Sequence, residues 1–243
     1  MKRNLEEYLR KNMELAINDY QMIDVGDRIL VCLSGGDDSY TLLKLLTLKK
    51  IYIPNDIYVM AAHIDLGFNA TDSANLDAME SYLCSRNIDH IIEKSDIGSI
   101  AHSPENRLNP CFLCSKMRRK RLLEIADRFN CSKIAFGHHK DDIVETLLIN
   151  IFFGREISTM KPKQELFNGK FYIIRPLAYL WEKDIKRYAR QQEFPTFTNG
   201  CPTSSTSKRK VIKDVLRLLE KDHHHVKENI YKSMKHVKTD YLL

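Results

Sequence analysis

Glycine, proline and long apolar runs are scarce in this sequence of 243 residues. Its 9 glycines and 7 prolines are too few for a collagen-like or low-complexity chain. No apolar run approaches the roughly 18–20 residues needed to cross a bilayer. The first 20 residues mix charged and apolar side chains without the apolar core of a signal peptide. With 43% apolar and 29% charged residues, the sequence predicts a globular, cytoplasmic protein with no membrane partner, neither fibrous nor wholly disordered.

Disulfides are not expected either, although the chain has six cysteines. Without an export signal these cysteines should remain reduced thiols. Three of them lie in apolar or helical segments, where we expect core residues or bystanders without a chemical role: Cys32, Cys84 and Cys131. The other three remain candidates for chemistry.

The charge of +6 is unevenly distributed along the chain. Residues 201–243 carry ten lysines and arginines against five acids, which is +5 of that total. Such a basic end suits a phosphate backbone. A solvated helical face is the simpler interpretation, and charge alone favours it.

Apolar runs alternate with helical patterns along the chain, which predicts a doubly wound, mostly parallel five-stranded α/β sheet covered on both faces. The predicted strands span residues 28–33, 57–64, 88–92, 133–137 and 171–177. The predicted helices span residues 4–20, 40–49, 73–86, 113–129, 141–152 and 182–192, with two basic helices after 207 and loops at 95–110, 154–169 and 194–207. We expect an N-terminal helix (1–24), a nucleotide-binding domain (25–200) and a basic C-terminal helical segment (201–243). Ligands of such sheets bind beyond the carboxyl ends of the strands, here after residues 33, 64 and 137.

The run SGGDDS at residues 34–39 follows a predicted strand and precedes a helix. Its two glycines allow a tight turn whose N–H groups can face an anion, and the helix N-terminus adds its dipole. A plain strand–helix turn with Asp38 or Ser39 as the helix cap is the alternative. The run matches neither the GxxxxGK[ST] phosphate loop nor the dinucleotide GxGxxG pattern.

Several separated motifs in order resemble the PP-loop adenine-nucleotide α-hydrolases, and among them the tRNA 2-thiocytidine synthetases. The matching segments are SGGDDS (34–39), CFLC followed by KMRR (111–119), GHHKDD (137–142), VETLLIN (144–150) and IRPL (174–177). The resemblance covers roughly residues 25–220. It implies an enzyme that uses ATP to adenylate a tRNA cytidine, releases pyrophosphate and replaces the C2 oxygen with sulfur.

Cys111 and Cys114 stand two residues apart at the start of a predicted helix, so both thiolates can reach one metal centre. Basic neighbours should lower their pKa. Two free cysteines or a redox pair are alternatives, whereas a Cys₄ zinc site lacks a second CxxC. The resemblance implies that Cys111, Cys114 and Cys201 hold a [4Fe–4S] cluster with one iron free of protein ligands. The family often has its third cysteine in a second CxxC, whereas Cys201 stands alone.

The resemblance also implies an ATP site. Its phosphate loop comprises Ser34, Gly35, Gly36, Asp38 and Ser39, joined by His63, Gly137 and Asp142. From the residues themselves, Gly137 permits close approach of a nucleotide, and one of the two aspartates 141 and 142 could simply cap a helix.

The resemblance implies five catalytic residues, namely Cys111, Cys114, Cys201, Arg118 and Asp142. One residue departs from the family pattern. We expect Mg²⁺ near Asp38, where it would neutralise phosphate charge, and Arg118 to stabilise charge on the α-phosphate or leaving oxygen. Asp37 stands where the family usually has a lysine, and its carboxylate would repel phosphate unless it helps to hold Mg²⁺.

The sequence therefore predicts an ATP-dependent tRNA sulfurtransferase whose partners are tRNA and a sulfur donor, either a cysteine desulfurase or free sulfide. The basic helix around 116–121 and the C-terminal helices are expected to hold the tRNA backbone. A lysidine-synthetase-like or 2-thiouridine-synthetase-like enzyme and a non-catalytic tRNA- or metal-binding protein are the alternatives. A monomer and a homodimer are both compatible with the sequence.

Overall fold

The computed structural model describes residues 4–48, 56–68, 73–106, 109–197, 200–203 and 207–241. Within these ranges six strands form one sheet in the order β3-β2-β1-β4-β6-β5. The strands are β1 (Arg28–Cys32), β2 (Tyr58–Asp65), β3 (Asp89–Lys94), β4 (Lys133–Ala135), β5 (Lys163–Leu166) and β6 (Phe171–Ile174). Neighbouring strands are parallel except β5, which pairs antiparallel with β6.

Helices connect the strands and close the chain. They are α1 (Leu5–Asp19), α2 (Asp37–Leu46), α3 (Ser73–Cys84), α4 (Ile97–Ala101), α5 (Pro110–Arg128), α6 (Lys140–Gly154), α7 (Glu182–Ala189), α8 (Lys208–Asp222) and α9 (Val226–Ser233). A short 3-10 helix follows at Thr239–Tyr241. None of the helices in the described ranges has the length and apolar character needed to cross a bilayer.

The predicted fold class is confirmed, with differences in its elements. The sheet has a sixth strand, β5, and a short helix, α4, in segments that we predicted to be loops. β5 reads KQEL and lies at the sheet edge, so it lacks the apolar run by which a buried strand is recognised. Lys49, the expected end of α2, lies outside the described residues.

The strand order produces a switch point at β1. The chain leaves β1 toward β2 and β3 on one side, then returns to form β4 and β6 on the other. The loops after β1 and β4 therefore diverge at neighbouring carboxyl ends, where open α/β sheets bind their ligands. These are the loops that carry the 34–39 run and Gly137.

Successive side chains of β1 point to opposite faces of the sheet and build two cores. Ile29 and Val31 pack with α1, α2, α3 and α7, whereas Leu30 and Cys32 pack with α4 and α5. Both faces are thus covered, which explains why the strands have apolar runs and no alternation.

The two C-terminal helices pack on α6 through a third cluster of buried residues. Ile212 and Leu216 of α8 and Tyr231 of α9 contact Ile143 and Val144 of α6. The C-terminal segment is therefore anchored beside the carboxyl edge of the sheet. The division at residues 24 and 200 stays a prediction.

Candidate active site

The 34–39 loop is held by its own serines. The Ser39 hydroxyl donates to the Gly36 carbonyl oxygen at 2.9 Å and accepts from the Ser34 N–H at 3.1 Å. Gly35 adopts φ +89°, a left-handed conformation that glycine tolerates best. The loop thus has one defined shape, as a rigid anion cradle requires.

Gly137 lies directly against this loop. A Cβ atom at Gly137 would come within 2.9 Å of the Asp38 carbonyl carbon and oxygen, both backbone atoms. The loops after β1 and β4 therefore touch only because residue 137 has no side chain.

The helix after the loop begins at Asp37, three residues earlier than expected, because Gly36 is its N-cap. Burial and the adjacent Asp38 carboxylate raise the pKa of Asp37, while Lys186 and Arg190 oppose that rise. Asp37 therefore interacts electrostatically with the end of α7 and the residue that follows it.

His139 links the loop to α6 through three carboxylates. Its Nε2 atom lies 3.7 Å from Asp38 Oδ1 and 3.5 Å from Asp142 Oδ2, and its Nδ1 atom lies 3.6 Å from Asp141 Oδ2. Burial alone would lower the pKa of His139, but these carboxylates outweigh it and raise the pKa to about 9. At neutral pH the ring is an imidazolium that neutralises the cluster.

The two aspartates of α6 have different surroundings. Asp141 accepts hydrogen bonds from the Glu182 N–H at 2.8 Å and from Lys227 at 3.1 Å, so it fastens α7 and α9. Asp142 accepts from the His139 N–H at 3.1 Å and from Arg209 at 3.0 Å. The N-cap of α6 is His139, and Asp142 is the N3 residue of a capping box because its Oδ2 atom accepts the His139 N–H.

A cavity of about 1010 Å³ lies between α5, α6 and α8. Five cationic side chains line it: Arg118, Arg119, Arg175, Lys208 and Arg209. Among the described residues that line it, none is an aspartate or glutamate. Because its wall is so strongly basic, this cavity suits a phosphate-bearing ligand.

Two of these arginines have unusual environments. The buried Nε of Arg118 has no hydrogen-bond partner within the described residues. Burial, together with the nearby Arg119 cation, lowers the pKa of Arg175 to about 10. An anion bound here would reduce the repulsion between the two cations and would accept a hydrogen bond from the unpartnered donor.

His138 presents a single tautomer to the cavity. Arg175 Nε donates to His138 Nδ1 at 3.2 Å, so the ring proton belongs to Nε2. Burial holds the pKa of His138 well below its usual range, and the ring stacks on Phe136 with centroids 5.4 Å apart. His138 is therefore a neutral hydrogen-bond donor.

Two of the candidate cysteines meet at a residue that lines the cavity, and Cys114 interacts electrostatically with both. The Thr203 hydroxyl lies 3.6 Å from Cys111 Sγ and 3.5 Å from Cys201 Sγ. Cys111 and Thr203 also line the cavity. His102 Nε2 approaches Cys201 Sγ to 4.0 Å. Residues 92 positions apart thus share one site.

The α5 helix begins at Pro110, where Asn109 accepts from the Phe112 N–H at 3.3 Å. Cys111 therefore lies in the first helical turn. The expected lowering of the thiol pKa is wrong for Cys114. Burial raises the pKa of Cys114 more than Arg118 lowers it, and the nearby Cys201 and Cys111 raise it further.

The cysteines do not form the close set of ligands that a single ion needs. Across the described ranges, no three His, Cys, Asp or Glu side chains converge closely enough to hold one metal ion. Cys111 and Cys201 instead contact one shared hydroxyl, and Cys114 interacts electrostatically with both. In a multi-iron cluster each sulfur would bind a different iron.

His63 is buried beside the loop. Its Nδ1 atom lies 2.9 Å from the Leu33 carbonyl oxygen and must donate to it, which leaves Nε2 as an acceptor without a partner in the described structure. Burial lowers the pKa of His63, so the ring is neutral.

Sequence reasoning missed the roles of Arg209, Thr203, His102 and Phe197. Phe197 donates its N–H to the Gly35 carbonyl oxygen at 3.0 Å and its ring covers Gly35. None of these residues belongs to a local pattern, and Arg209 was assigned to tRNA binding with its basic neighbours. Only the fold brings them to the site.

Comparison with known proteins agrees with this geometry. Residues 5–219 match the PP-loop domain family. The chain is 41% identical over 231 residues to the tRNA-cytidine(32) 2-sulfurtransferase of Deinococcus radiodurans, covering 94% of this chain and 76% of the relative. It is 38% identical over 242 residues to the enzyme of the same name from Polynucleobacter asymbioticus, covering 98% and 79%.

A solved structure is similar in fold. The U34-tRNA thiolase NcsA from Methanococcus maripaludis, solved with its [4Fe–4S] cluster, superposes with a TM-score of 0.75 at 23% identity. The match covers 96% of this chain and 81% of that one.

Proposed function

The chain belongs to the tRNA-cytidine(32) 2-sulfurtransferase family of PP-loop proteins, and we propose that it replaces the C2 oxygen of a tRNA cytidine with sulfur at the expense of ATP. One observation carries the proposal. A continuous series of contacts runs from the 34–39 loop through His139 and Asp142 to Arg209, which lines the cavity bearing Cys111 at its mouth.

The loop side of this site binds ATP. Gly35, Gly36, Ser34 and Ser39 offer a rigid cradle for phosphate, and Gly137 keeps the neighbouring loop close. The Nε2 atom of His63, which has no partner within the described residues, can accept a hydrogen bond from a nucleobase amino group.

A magnesium ion fits the acidic end of the cradle. The buried Oδ1 of Asp38 has no hydrogen-bond partner within the described residues, and carboxylate oxygens are ligands that Mg²⁺ prefers. Asp38 would hold the ion, and Mg²⁺ would supply positive charge against the phosphates.

The cavity side receives the target nucleotide, which must leave its base stack to be reached. In the first step the cytidine O2 attacks the α-phosphorus, and pyrophosphate leaves. In the second a sulfur nucleophile attacks C2, the C2–O bond breaks and AMP departs with the oxygen. Arg118 supplies a desolvated donor for the charge that develops on the phosphate.

Cys111, Cys114 and Cys201 would hold a [4Fe–4S] cluster, which supplies an iron without a protein ligand where sulfur can bind. The half-buried thiols of Cys114 and Cys201 and the Thr203 hydroxyl between Cys111 and Cys201 support this role. The U34-tRNA thiolase of the same fold contains such a cluster.

The proposal extends to partners and location. tRNA is the substrate in the names of the relatives, and those names favour cytidine over the lysidine and thiouridine alternatives. The sulfur donor, whether a cysteine desulfurase or free sulfide, the cytoplasmic location and a homodimer stay predictions from the sequence.

Thiolation itself tests the proposal. Protein reconstituted anaerobically with iron and sulfide is incubated with unmodified tRNA, ATP–Mg²⁺ and sulfide, and the digested nucleosides are analysed by mass spectrometry. We expect 2-thiocytidine with ATP and none with α,β-methylene-ATP, whose α–β bridge cannot be cleaved. Formation of 2-thiouridine, or of no thionucleoside, would contradict the proposal.

A further inference from the structure

A second cleft, the α5 groove, runs along the outer face of α5 and has a volume of about 830 Å³. Its walls are α5 and the turn between β5 and β6. The lining residues are Phe112, Leu113, Ser115, Lys116, Met117, Arg119, Lys120, Leu123, Glu124, Asp127, Phe167, Lys170 and Phe171. Its surface is mostly apolar with a basic rim.

Two aromatic rings stand exposed in this groove. Phe112 is 58% exposed and Phe167 is 68% exposed. Phe167 also has φ +51°, a left-handed conformation that costs a bulky residue energy. The Phe167 ring packs edge-on against the buried Phe171, with centroids 6.3 Å apart. Most of its surface, like that of Phe112 in the same groove, stays open to a ligand.

The charges around the groove indicate an anionic ligand. Its two acids are already neutralised, since Asp127 pairs with Lys170 at 2.7 Å and Glu124 with Arg121 at 2.7 Å. Lys116 and Arg119 form no ion pair within the described part of the chain. Flat apolar faces combined with negative charge are the properties of an unstacked nucleotide.

The groove adjoins the active-site cavity across α5. Ser115 and Arg119 line both, and Phe112 lies between the two cysteines of the CxxC. A polynucleotide whose target base enters the cavity can therefore place a neighbouring residue over Arg119 and into the groove.

We propose that a base next to the target cytidine, in a single-stranded tRNA loop, stacks in the α5 groove against Phe112 and Phe167. This inference rests on the proposed function. When the target base leaves its stack, the neighbouring base loses a stacking partner. The rings of the groove replace that partner, and Lys116 and Arg119 hold the phosphates.

Substitution of the two rings tests the inference. The double variant Phe112→Ala with Phe167→Ala should bind tRNA about five- to 150-fold more weakly, the effect of losing one stacked base. The salt dependence of binding should stay unchanged, because stacking releases no counterions. Phe112→Tyr should bind like the wild type and Phe112→Leu should not, since only an aromatic ring stacks.

The controls separate the groove from the proposed function. Leu218→Ala, a change at a residue of α8 that is 62% exposed, should bind tRNA normally, and iron content and ATP affinity should persist in every variant. If the wild type itself does not bind tRNA, the proposed function fails. If the wild type binds and either the double variant or Phe112→Leu binds equally well, the groove is not a stacking site. If the double variant binds tRNA normally but loses thiolation only when a desulfurase supplies the sulfur, the groove binds a protein instead.

Discussion

Cys201 is the residue whose assignment depends most on tertiary structure. The sequence offers it alone, without the second CxxC partner, and only the resemblance joined it to Cys111 and Cys114. In the structure the Thr203 hydroxyl contacts both Cys111 and Cys201. Two sulfurs that share one hydroxyl, although they lie far apart in the sequence, are difficult to explain by packing, because Cys111 is exposed.

Iron analysis tests this residue. Anaerobically reconstituted wild type should contain about four irons per chain, and Cys201→Ala should fall close to background because the cluster loses one of its three ligands. Cys84→Ala is the matched control, since Cys84 is an exposed thiol at the end of α3 and should keep full iron. Full iron in Cys201→Ala would remove this residue from the ligand set.

At the same scale, Asp37 and Arg209 show what local patterns miss. Lys186 of α7 and Arg190, the residue after α7, act against the rise in the Asp37 pKa from far away in the sequence. Arg209 belongs to the C-terminal helices that we expected to hold tRNA, yet it donates to Asp142 inside the site. The motifs indicate which residues have a chemical role, but the partner of each charged residue depends on the fold.

At the scale of elements, the C-terminal helices use much of their positive charge internally. Lys213 approaches the buried Glu145 at 3.6 Å and Lys227 binds the buried Asp141 at 3.1 Å. Lys210 and Arg217 both pair with Asp214. Arg209, Lys213 and Lys227 therefore anchor α8 and α9 to acids of α6, a use of positive charge that composition alone cannot distinguish from nucleic-acid binding.

The basic helices α5 and α8 should therefore contribute differently to tRNA binding. Removing Lys116 and Arg119 of α5, which have no ion pair in the described ranges, should lower the slope of log affinity against log salt by about 1.5, since two phosphate contacts are lost. Removing Lys210 and Arg217 of α8 is the matched change of two charges and should alter the slope much less. Filter binding at several salt concentrations measures both. An equal loss in the two variants would restore α8 as a tRNA-binding helix.

The same scale explains which elements the sequence predicted. Helices and buried strands could be predicted because the spacing of their apolar residues reflects which residues are buried. β5 has no such signal, since an edge strand of polar residues pairs through its backbone. The start of α5 at Pro110 depends on a cap by Asn109 and not on the apolar pattern.

For the whole molecule, the switch point at β1 makes the site possible. It brings the loops after β1 and β4 into contact, and α6, α8 and α5 then extend the site from the phosphate loop to the cysteines. The strand alternation predicted this edge of the sheet, but the cavity and the α5 groove arise from helices packed at long sequence separation. Such packing leaves no trace in a short motif.

Oxygen tracing tests the central claim that ATP activates the C2 oxygen at this site. tRNA carrying ¹⁸O at C2 of the target cytidine is incubated with the reconstituted protein, ATP–Mg²⁺ and sulfide, and the AMP is analysed by mass spectrometry. The account predicts one ¹⁸O in AMP for every 2-thiocytidine formed, because the oxygen leaves with the α-phosphate. Unlabelled AMP alongside 2-thiocytidine would contradict it.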